Sequence, residues 1–417
     1  MNMQFLKNEL PNSKLRGILK ASSLLASSSK QAFEVLRFTN KLSPEILIIG
    51  GLFLVWRIFL FVVGLVGFIF VPLFSRNFLG GGYQLYNQFF YLMPWANYDG
   101  EHYLSIALRG YQSLEQAFFP LYPLLVHIGI FFSKTDFLST VLSGLVISHL
   151  CFLGSLYLLF KLARLDYSSQ IAWRTLLLLL LFPTSFFFAA FYTESLFLFL
   201  SVATFYFYRK NNFWLAAVCG FLASFTRVFG VLLFLSLIID LWLSKKSLKE
   251  SFPLLLIPGG LLLYMAYLWW SVGDPLAFYN LQSIIGEHRG KGIILFPQVV
   301  YRYLNILIHY QEVNTFLASF LLEFVSTVSF VLLVIVGYFK KIRISYLFYA
   351  LASILLPTIQ GSFSSGSRYV LVVFPVFIIW ALLIEKLPRI IQVILFMLMG
   401  LMLGFFTILF IRGYWVA

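Results

Sequence analysis

The chain has 417 residues and is dominated by apolar side chains. Hydrophobic residues make up 61% of it, aromatic residues 19% and charged residues 11%, and the mean hydropathy is +0.90. This composition excludes an ordinary soluble domain and predicts an all-α integral membrane protein embedded in a lipid bilayer. The formal net charge of +14 does not indicate a nucleic-acid partner, because the basic residues are distributed as a membrane topology signal.

The N-terminal segment, residues 1–45, is basic and precedes the first long apolar run. Its residues 1–43 include seven Lys or Arg residues against Glu9 and Glu34. The stretch LRGILKASSLLA is typical of a helix that lies on an anionic membrane surface. We therefore expect this end of the chain to be cytoplasmic.

Residues 46–417 form one polytopic domain with about 11–13 predicted membrane segments, because apolar runs of roughly 20 residues, the length that crosses a hydrocarbon core, recur along the chain. The two cysteines, Cys151 and Cys219, fall inside such runs and indicate neither a disulfide nor a cysteine metal site. The predicted segments are 46–73, 137–161, 170–188, 192–208, 213–226, 229–243, 253–271, 313–339, 344–359, 369–385 and 390–411.

The loops between alternate segments carry basic clusters, which predicts that the N-terminus is inside and the C-terminus outside. The segment 118–132 is apolar but interrupted by Pro120 and Pro123. If it crossed the membrane, every later basic cluster would change sides, so we predict a re-entrant or interfacial segment. Two long outer loops result, residues 74–136 and 272–312, and loops of that length are usually functional.

The first outer loop contains the polar stretch WANYDGEHYLSIALRGY, residues 95–111. Asp99 followed ten residues later by Arg109 and then by Gly110 predicts a short helix, with Asp99 as its N-cap and Gly110 ending it. Capping alone explains an Asp, but it does not explain why Glu101, His102 and Arg109 accompany it. An Asp near aromatic walls at the bilayer surface would be partly desolvated, which raises its pKa and suits it to proton transfer.

Three further charges stand at predicted outer ends of membrane segments: Glu194, Arg227 and Arg368. Charges at such depth cost roughly 2.5 to 3.5 kcal/mol each at a helix centre, so each needs a partner or a purpose. Two interpretations are open. Glu194 pairs with one of the arginines to hold the bundle together, or the three residues line one outer pocket that binds a phosphate-carrying lipid. Arg57, inside the first apolar run, either snorkels or marks the true start of that span.

The spacing of these residues does not predict a zinc site, because Glu101 and His102 lack the i,i+4 pattern of a zinc helix. A divalent cation, Mg²⁺ or Mn²⁺, shared between Asp99 and a phosphate ligand stays open, since magnesium often needs only one or two protein carboxylates.

Four blocks of the chain resemble the class V GPI mannosyltransferase family (PIG-V) and its prokaryotic relatives. The first block, WANYDGEHYLSIALRGYQSLEQAFFPLYPLL, resembles a signature in which Trp-Asp-Gly is followed by Gly-Tyr and by Ala-Phe-Phe-Pro-Leu-x-Pro. FPTSFFFAAFYTESLFLF, ASFTRVFG and SGSRYVLVVFP are similar to later blocks in the same order. The chain departs from the family in having Asn-Tyr directly before Asp99, with Trp95 displaced.

The resemblance implies a GT-C type glycosyltransferase, a helical bundle with its catalytic carboxylate in the first outer loop. It implies that Asp99 is the catalytic Asp and that a sugar, mannose by resemblance, is transferred from a polyprenyl-phosphate donor to a lipid-linked or glycan acceptor. We expect transfer with inversion and Asp99 as general base. We expect substrate binding by Glu101, His102, Arg109, Glu194, Arg227 and Arg368, with Arg227 or Arg368 stabilising the departing phosphate.

Two other functions are open. A transporter or flippase would also carry intramembrane charges, although such proteins usually show paired halves with broken helices, which this sequence lacks. A non-catalytic membrane subunit of a glycosylation complex is the third candidate. The absence of any Asn-x-Ser/Thr sequon favours a prokaryotic plasma membrane over the endoplasmic reticulum.

Overall fold

A computed structural model describes residues 44–131, 136–245, 250–285 and 293–416. The predicted N-terminal surface helix lies outside the described residues. Those that are described form α-helices, short 3-10 turns and irregular connections, with no β-strand among them. The predicted all-α membrane fold is therefore confirmed. The chain divides into two compact units, residues 1–54 and 55–417, and the site described below belongs to the second.

Within the described residues, five helical stretches are long and apolar enough to cross a membrane, so the chain is an integral membrane protein. They are α1 (Pro44–Phe70), α5 (Phe137–Ala163), the stretch Phe252–Val272 that contains α10 (Gly259–Val272), α14 (Thr315–Phe339) and α18 (Arg389–Ile411).

The other predicted membrane segments coincide with shorter helices. Prolines explain part of this, because a proline lacks the N–H that a helix interior needs. Pro183 follows α6, and Pro375 lies in the first turn of α17. These helices are α6 (Ser169–Leu181), α7 (Glu194–Arg209), α8 (Phe213–Thr226), α9 (Val231–Ser244), α15 (Ile344–Thr358), α16 (Gly366–Leu371) and α17 (Phe374–Ile384).

The two long loops contain short helices of their own. In the first loop these are α2 (Tyr83–Gln88), α3 (Asp99–Arg109) and α4 (Leu121–Phe131). In the second they are α11 (Ala277–Asn280), α12 (Gln282–Ile285) and α13 (Phe296–His309). At a rise of 1.5 Å per residue, α4 is only about 16 Å long. It is too short to cross a hydrocarbon core of about 30 Å by itself. The re-entrant or interfacial placement of this segment stays a prediction.

The interior of the bundle is built from α5, α7 and α8, which pack side by side, while α6 packs against α17 and α14 against α16. Burial is most complete in the connection between α6 and α7, where residues 182–193 are all buried. This irregular connection therefore lies in the core, where its free backbone groups need partners.

Candidate active site

The buried connection 182–193 joins the first loop to α16. Thr184 donates its hydroxyl to the carbonyl of Ser367 at 2.9 Å, and Tyr192 donates to the carbonyl of Asn97 at 2.8 Å. The backbone N–H of Phe191 donates to the carbonyl of Trp95 at 2.8 Å. These bonds bring three distant parts of the chain together beside the N-terminus of α7.

Asn97 fixes the start of α3. Its side chain is fully buried, its Oδ1 accepts the N–H of Gly80 at 3.0 Å, and its Nδ2 donates to the carbonyls of Phe410 and Ile411 at 3.1 and 3.3 Å. Asn97 thus ties the loop before α3 to the end of α18. Asp99 is two residues further on, so its position depends on these bonds.

Asp99, Glu194, Arg227 and Arg368 form one continuous ionic network. Arg368 Nη1 donates to Asp99 Oδ2 at 2.5 Å, and Arg368 Nε lies 3.5 Å from Glu194 Oε1. Arg227 Nη1 donates to the same Glu194 oxygen at 2.7 Å. The two carboxylates and two guanidiniums therefore alternate in the order Arg227, Glu194, Arg368, Asp99. The structure brings together these four of the seven site residues predicted from sequence.

Aromatic rings surround the guanidiniums of this network. The ring of Tyr369 lies 5.5 Å from the Arg227 guanidinium and 5.6 Å from that of Arg368. Phe187 and Tyr192 each lie 5.6 Å from Arg368. Rings at this distance stabilise a cation and exclude water from it.

Access to the network is uneven. The side chain of Glu194 is 2% exposed, those of Arg368 and Arg227 are 9% and 11% exposed, and that of Asp99 is 26% exposed. Asp99 is therefore the charge that an entering substrate meets first. Glu194 Oε2 is buried and has no hydrogen-bond partner among the described residues. Its other oxygen, Oε1, lies near both guanidiniums, so Glu194 is placed to orient them.

The turn that presents Arg227 depends on a close backbone approach. Arg227 ends α8 in an extended conformation and is followed by the 3-10 turn Val228–Gly230. A Cβ atom at Gly230 would lie 2.2 Å from the backbone nitrogen of Ser224. Only glycine fits there, so this turn returns the chain tightly to α9 and leaves the arginine directed at Glu194.

The predicted role of Asp99 as an N-cap is wrong. Asp99 is the first residue of α3, Tyr98 is the N-cap with φ 56°, and no side chain caps the helix. The Asp99 carboxylate binds Arg368 instead, a partner that local sequence could not reveal. Gly110 does end the helix, with φ 74° and its N–H donating to Ile106, as predicted.

Glu101, His102 and Arg109 lie outside the ionic network. Successive residues of a helix are about 100° apart, so Glu101 points away from the face that carries Asp99. His102 stacks on Phe118 with ring centroids 4.7 Å apart. Arg109 is exposed, with its guanidinium 6.0 Å from the ring of Phe137. A role for these three residues in substrate binding stays a prediction.

Burial raises the pKa of Glu101 from 4.5 to about 7, although a hydrogen bond from the backbone of Gly82 opposes the shift. Glu101 therefore gains and loses its proton near neutral pH. For this carboxyl, desolvation outweighs the opposing hydrogen bond.

Arg57 does not mark the start of the first span, because α1 begins at Pro44 and Arg57 lies in its middle. Its Nε donates to His149 Nε2 at 2.8 Å, and its guanidinium lies 4.6 Å from the ring of Trp95. The ring of Trp95 is thus an aromatic wall for Arg57.

The side chains of the site offer few ligands for a metal ion. No group of three or more His, Cys, Asp or Glu suited to a metal occurs in the described parts of the chain. Asp99 and Glu194 each face a guanidinium already, so a cation bound at Asp99 would require Arg368 to move away. The Mg²⁺ or Mn²⁺ site stays a prediction.

Sequence reasoning missed several residues that build the site. Three of them are uncharged, so the sequence contained no functional signal for them: Asn97, Tyr192 and Tyr369. Each is within two residues of a predicted charged residue. Glu323 of α14 was also missed. Its Oε1 accepts the N–H of Ser365, the N-cap of α16, and so helps to hold the helix that carries Arg368.

An apolar groove of about 480 Å³ lies between α14 and α18. Leu322, which precedes Glu323, and Phe406, one helical turn before Phe410, both line it. In each of the two helices, the groove therefore lies next to a residue that helps to hold the site: Glu323 in α14 and Phe410 in α18. Its other lining residues are Ala318, Leu321, Val325, Leu401, Met402 and Phe405.

Residues 83–240 match the family model described as Mannosyltransferase (PIG-V). The matched segment contains Asp99, Glu194 and Arg227, and Arg368 lies beyond it. No curated protein and no solved structure matches the chain at a significant level.

Proposed function

We propose that this chain, whose residues 83–240 match the mannosyltransferase (PIG-V) family model, transfers mannose from a polyprenyl-phosphate donor to a hydroxyl group of a lipid-linked or glycan acceptor. The family match supports a membrane mannosyltransferase. The donor class, the inverting stereochemistry and the role of Asp99 are our proposal and rest on the ionic network. We place the reaction on the non-cytoplasmic side of a prokaryotic plasma membrane, or of the endoplasmic reticulum membrane in a eukaryote.

The observation that carries the proposal is that Arg368 lies between two carboxylates, Asp99 and Glu194. The network has equal numbers of positive and negative charges, so an entering phosphate must compete with a carboxylate for a guanidinium. Asp99 is the more exposed of the two carboxylates, and it is the one that gives up its bond to Arg368 when the phosphate binds. Guanidinium binds phosphate oxygens in bidentate geometry, which makes the exchange favourable.

This exchange prepares both halves of the reaction. When Arg368 turns to the donor phosphate, Asp99 loses its cationic partner and its carboxylate becomes a stronger base. The acceptor hydroxyl gives its proton to Asp99 while its oxygen forms a bond to the anomeric carbon. The bond from that carbon to the phosphate oxygen breaks on the opposite face, and its electron pair stays on the lipid phosphate, which Arg368 stabilises.

Glu194 and Arg227 act as positioning residues. Glu194 holds both guanidiniums through one oxygen, so it stays paired when Arg368 leaves Asp99. Keeping a buried carboxylate paired avoids the cost of an isolated charge in a medium of low dielectric. The network can therefore change partners at Asp99 without exposing Glu194.

The apolar groove between α14 and α18 fits the lipid part of the donor. It is lined only by apolar side chains, and it lies on the helices that hold Ser365 and Asn97 in place. An isoprenoid tail bound there would contact the protein at the flank of the phosphate site. A tail in the bilayer is already out of water, so close packing in the groove, and not removal of apolar surface from water, would hold it there.

The test is a transfer assay with purified protein in lipid nanodiscs. A short-chain polyprenyl-phosphate mannose and a nucleotide-linked mannose are offered separately with a detergent extract of membrane acceptors. We expect transfer only from the polyprenyl phosphate and an anomeric configuration opposite to that of the donor. Transfer from the nucleotide sugar, or retention of configuration, would contradict the proposal, and flux of the donor across vesicles without transfer would favour a flippase.

A further inference from the structure

Helix α13, Phe296–His309, presents three distinct faces. One face is buried against the protein and includes Val299 and Tyr303. A second face is apolar and exposed, with Tyr301 69%, Leu304 43% and Ile308 77% exposed. The third face carries the exposed polar residues Gln298, Arg302, Asn305 and His309.

The two exposed faces are cleanly separated. With about 100° between successive residues, Tyr301, Leu304 and Ile308 fall within an arc of roughly 60°, and the polar side chains fall within the adjacent arc of similar width. Ile306, which is 41% exposed, lies apart from this strip, between the polar arc and the buried face. A helix immersed in water has no reason to keep such a strip apolar. A helix that crosses the bilayer could not accommodate the polar strip, and α13 is only about 21 Å long.

Exposed apolar residues also occur before α13 and in the helix that follows it. Ile293 and Leu295, just before α13, are 80% and 70% exposed. After α13, the spanning helix α14 begins at Thr315, and its Phe316 and Val325 are exposed on the surface that a span turns to acyl chains. The helix itself contains no acidic residue, and Arg302 adds a positive charge that complements lipid phosphates.

We infer that α13 lies in the membrane surface on the side of the bilayer where Asp99 is located. Tyr301, Leu304 and Ile308 are inserted at the boundary between head groups and acyl chains, and the polar strip faces water. The partner of this surface is the lipid leaflet itself, because exposed apolar residues precede α13 and a spanning helix follows it after residues 310–314.

The buried face of α13 connects this lipid contact to the ionic network. The Tyr303 hydroxyl accepts the N–H of Phe363 at 3.0 Å, and the N–H of Ile294 donates to the carbonyl of Ile359 at 2.9 Å. Both bonds hold the loop that leads to Ser365, the N-cap of α16. Arg368 follows in the first turn of that helix, so the leaflet supports the loop that positions it.

The experiment is site-directed spin labelling of the whole chain in nanodiscs of phosphatidylglycerol and phosphatidylcholine. Cysteines are introduced by Tyr301→Cys, Leu304→Cys and Ile308→Cys, and matched controls by Gln298→Cys and Asn305→Cys. The background carries Cys151→Ala and Cys219→Ala, and each variant must elute as the parent protein does on size exclusion. The collision rates with oxygen and with a water-soluble nickel chelate are then compared at each position.

We expect the first three labels to collide with oxygen at least several-fold more, relative to the nickel chelate, than the two controls do. Equal access of the nickel chelate to all five positions would overturn the inference, since α13 would then lie in water. Dipolar broadening between labels on two molecules in one disc would also overturn it, because a second copy would cover the strip. The result does not depend on sugar transfer, so it stands or fails separately from the proposed function.

Discussion

Arg368 contacts Asp99 through Nη1 at 2.5 Å and approaches Glu194 through Nε at 3.5 Å. The two carboxylates are separated by 95 positions in sequence, and the arginine follows the second by 174. One guanidinium thus joins the first loop, α7 and α16. This shared position makes Arg368 the residue through which substrate binding and the freeing of Asp99 are linked.

Replacement of Arg368 tests this link. Arg368→Lys keeps a positive charge but loses the forked geometry that binds phosphate and carboxylate through two nitrogens. We expect kcat to fall by about 10²–10³, the range found when one transition-state donor is removed. The measurement is steady-state transfer from polyprenyl-phosphate mannose. A loss of less than fivefold would mean that Arg368 does not stabilise the departing phosphate.

Removal of the Glu194 charge is expected to affect stability more than binding. Glu194→Gln leaves Arg227 and Arg368 without the carboxylate between them, and breaking a buried pair in this way costs about 3–5 kcal/mol. The control is Glu385→Gln, which breaks an exposed pair with Arg174 and should cost less than about 1 kcal/mol. Thermal unfolding in detergent measures both. Equal melting temperatures for the two variants would show that the ion pairs of Glu194 do not contribute more to stability than the exposed pair does.

Asn97 is expected to act as a positioning residue for Asp99. Asn97→Ala removes the acceptor for Gly80 N–H and the donor to two carbonyls, which leaves buried groups unpaired at about 1–3 kcal/mol each. We expect a lower kcat with little change in the KM for the donor, since the phosphate site is intact. A changed KM with normal kcat would place the effect of Asn97 on binding instead.

The pH dependence of stability should reveal Glu101. Its pKa in the folded chain is about 7, above the ordinary value of 4.5, so the folded state binds the proton more tightly than the unfolded state does. This contribution to stability is fully present below about pH 4.5 and is lost as the pH rises through 7. Glu101→Gln should therefore raise the melting temperature at pH 8 and change it little at pH 5. The control Glu312→Gln, at an exposed site, should leave both values unchanged.

Much of the architecture could be predicted from the sequence, because a hydrocarbon core demands long apolar runs and those runs have visible ends. The predicted segment 137–161 corresponds to α5, and 390–411 corresponds to α18. The point at which a proline ends a helix was harder to predict. The predicted segment 170–188 ends as a helix at Leu181, and its remainder forms the irregular buried connection that builds the site.

The site was harder to predict because its contacts are long-range. Proximity in sequence suggested that Glu101 and His102 accompany Asp99. Glu101, two residues further along the helix, points to another side of it, and the ring of His102 stacks on Phe118. The expected desolvated Asp99 assumed no cation beside it, whereas Arg368 reaches it from 269 positions away. Uncharged residues such as Asn97 carried no signal, since their importance lies in hydrogen bonds to backbone groups that only the fold brings near.

The central claim is that Asp99 takes the proton of the acceptor, and Asp99→Asn tests it most directly. Asn keeps the size and a hydrogen-bonding oxygen for Arg368 but cannot accept the proton. The matched control is Asp136→Asn, at the N-cap of α5, where an Asn can also cap. With polyprenyl-phosphate mannose as donor, we expect Asp99→Asn to lose at least about 10²-fold in kcat while the control keeps its activity. Unchanged transfer by a correctly folded Asp99→Asn protein would contradict the account.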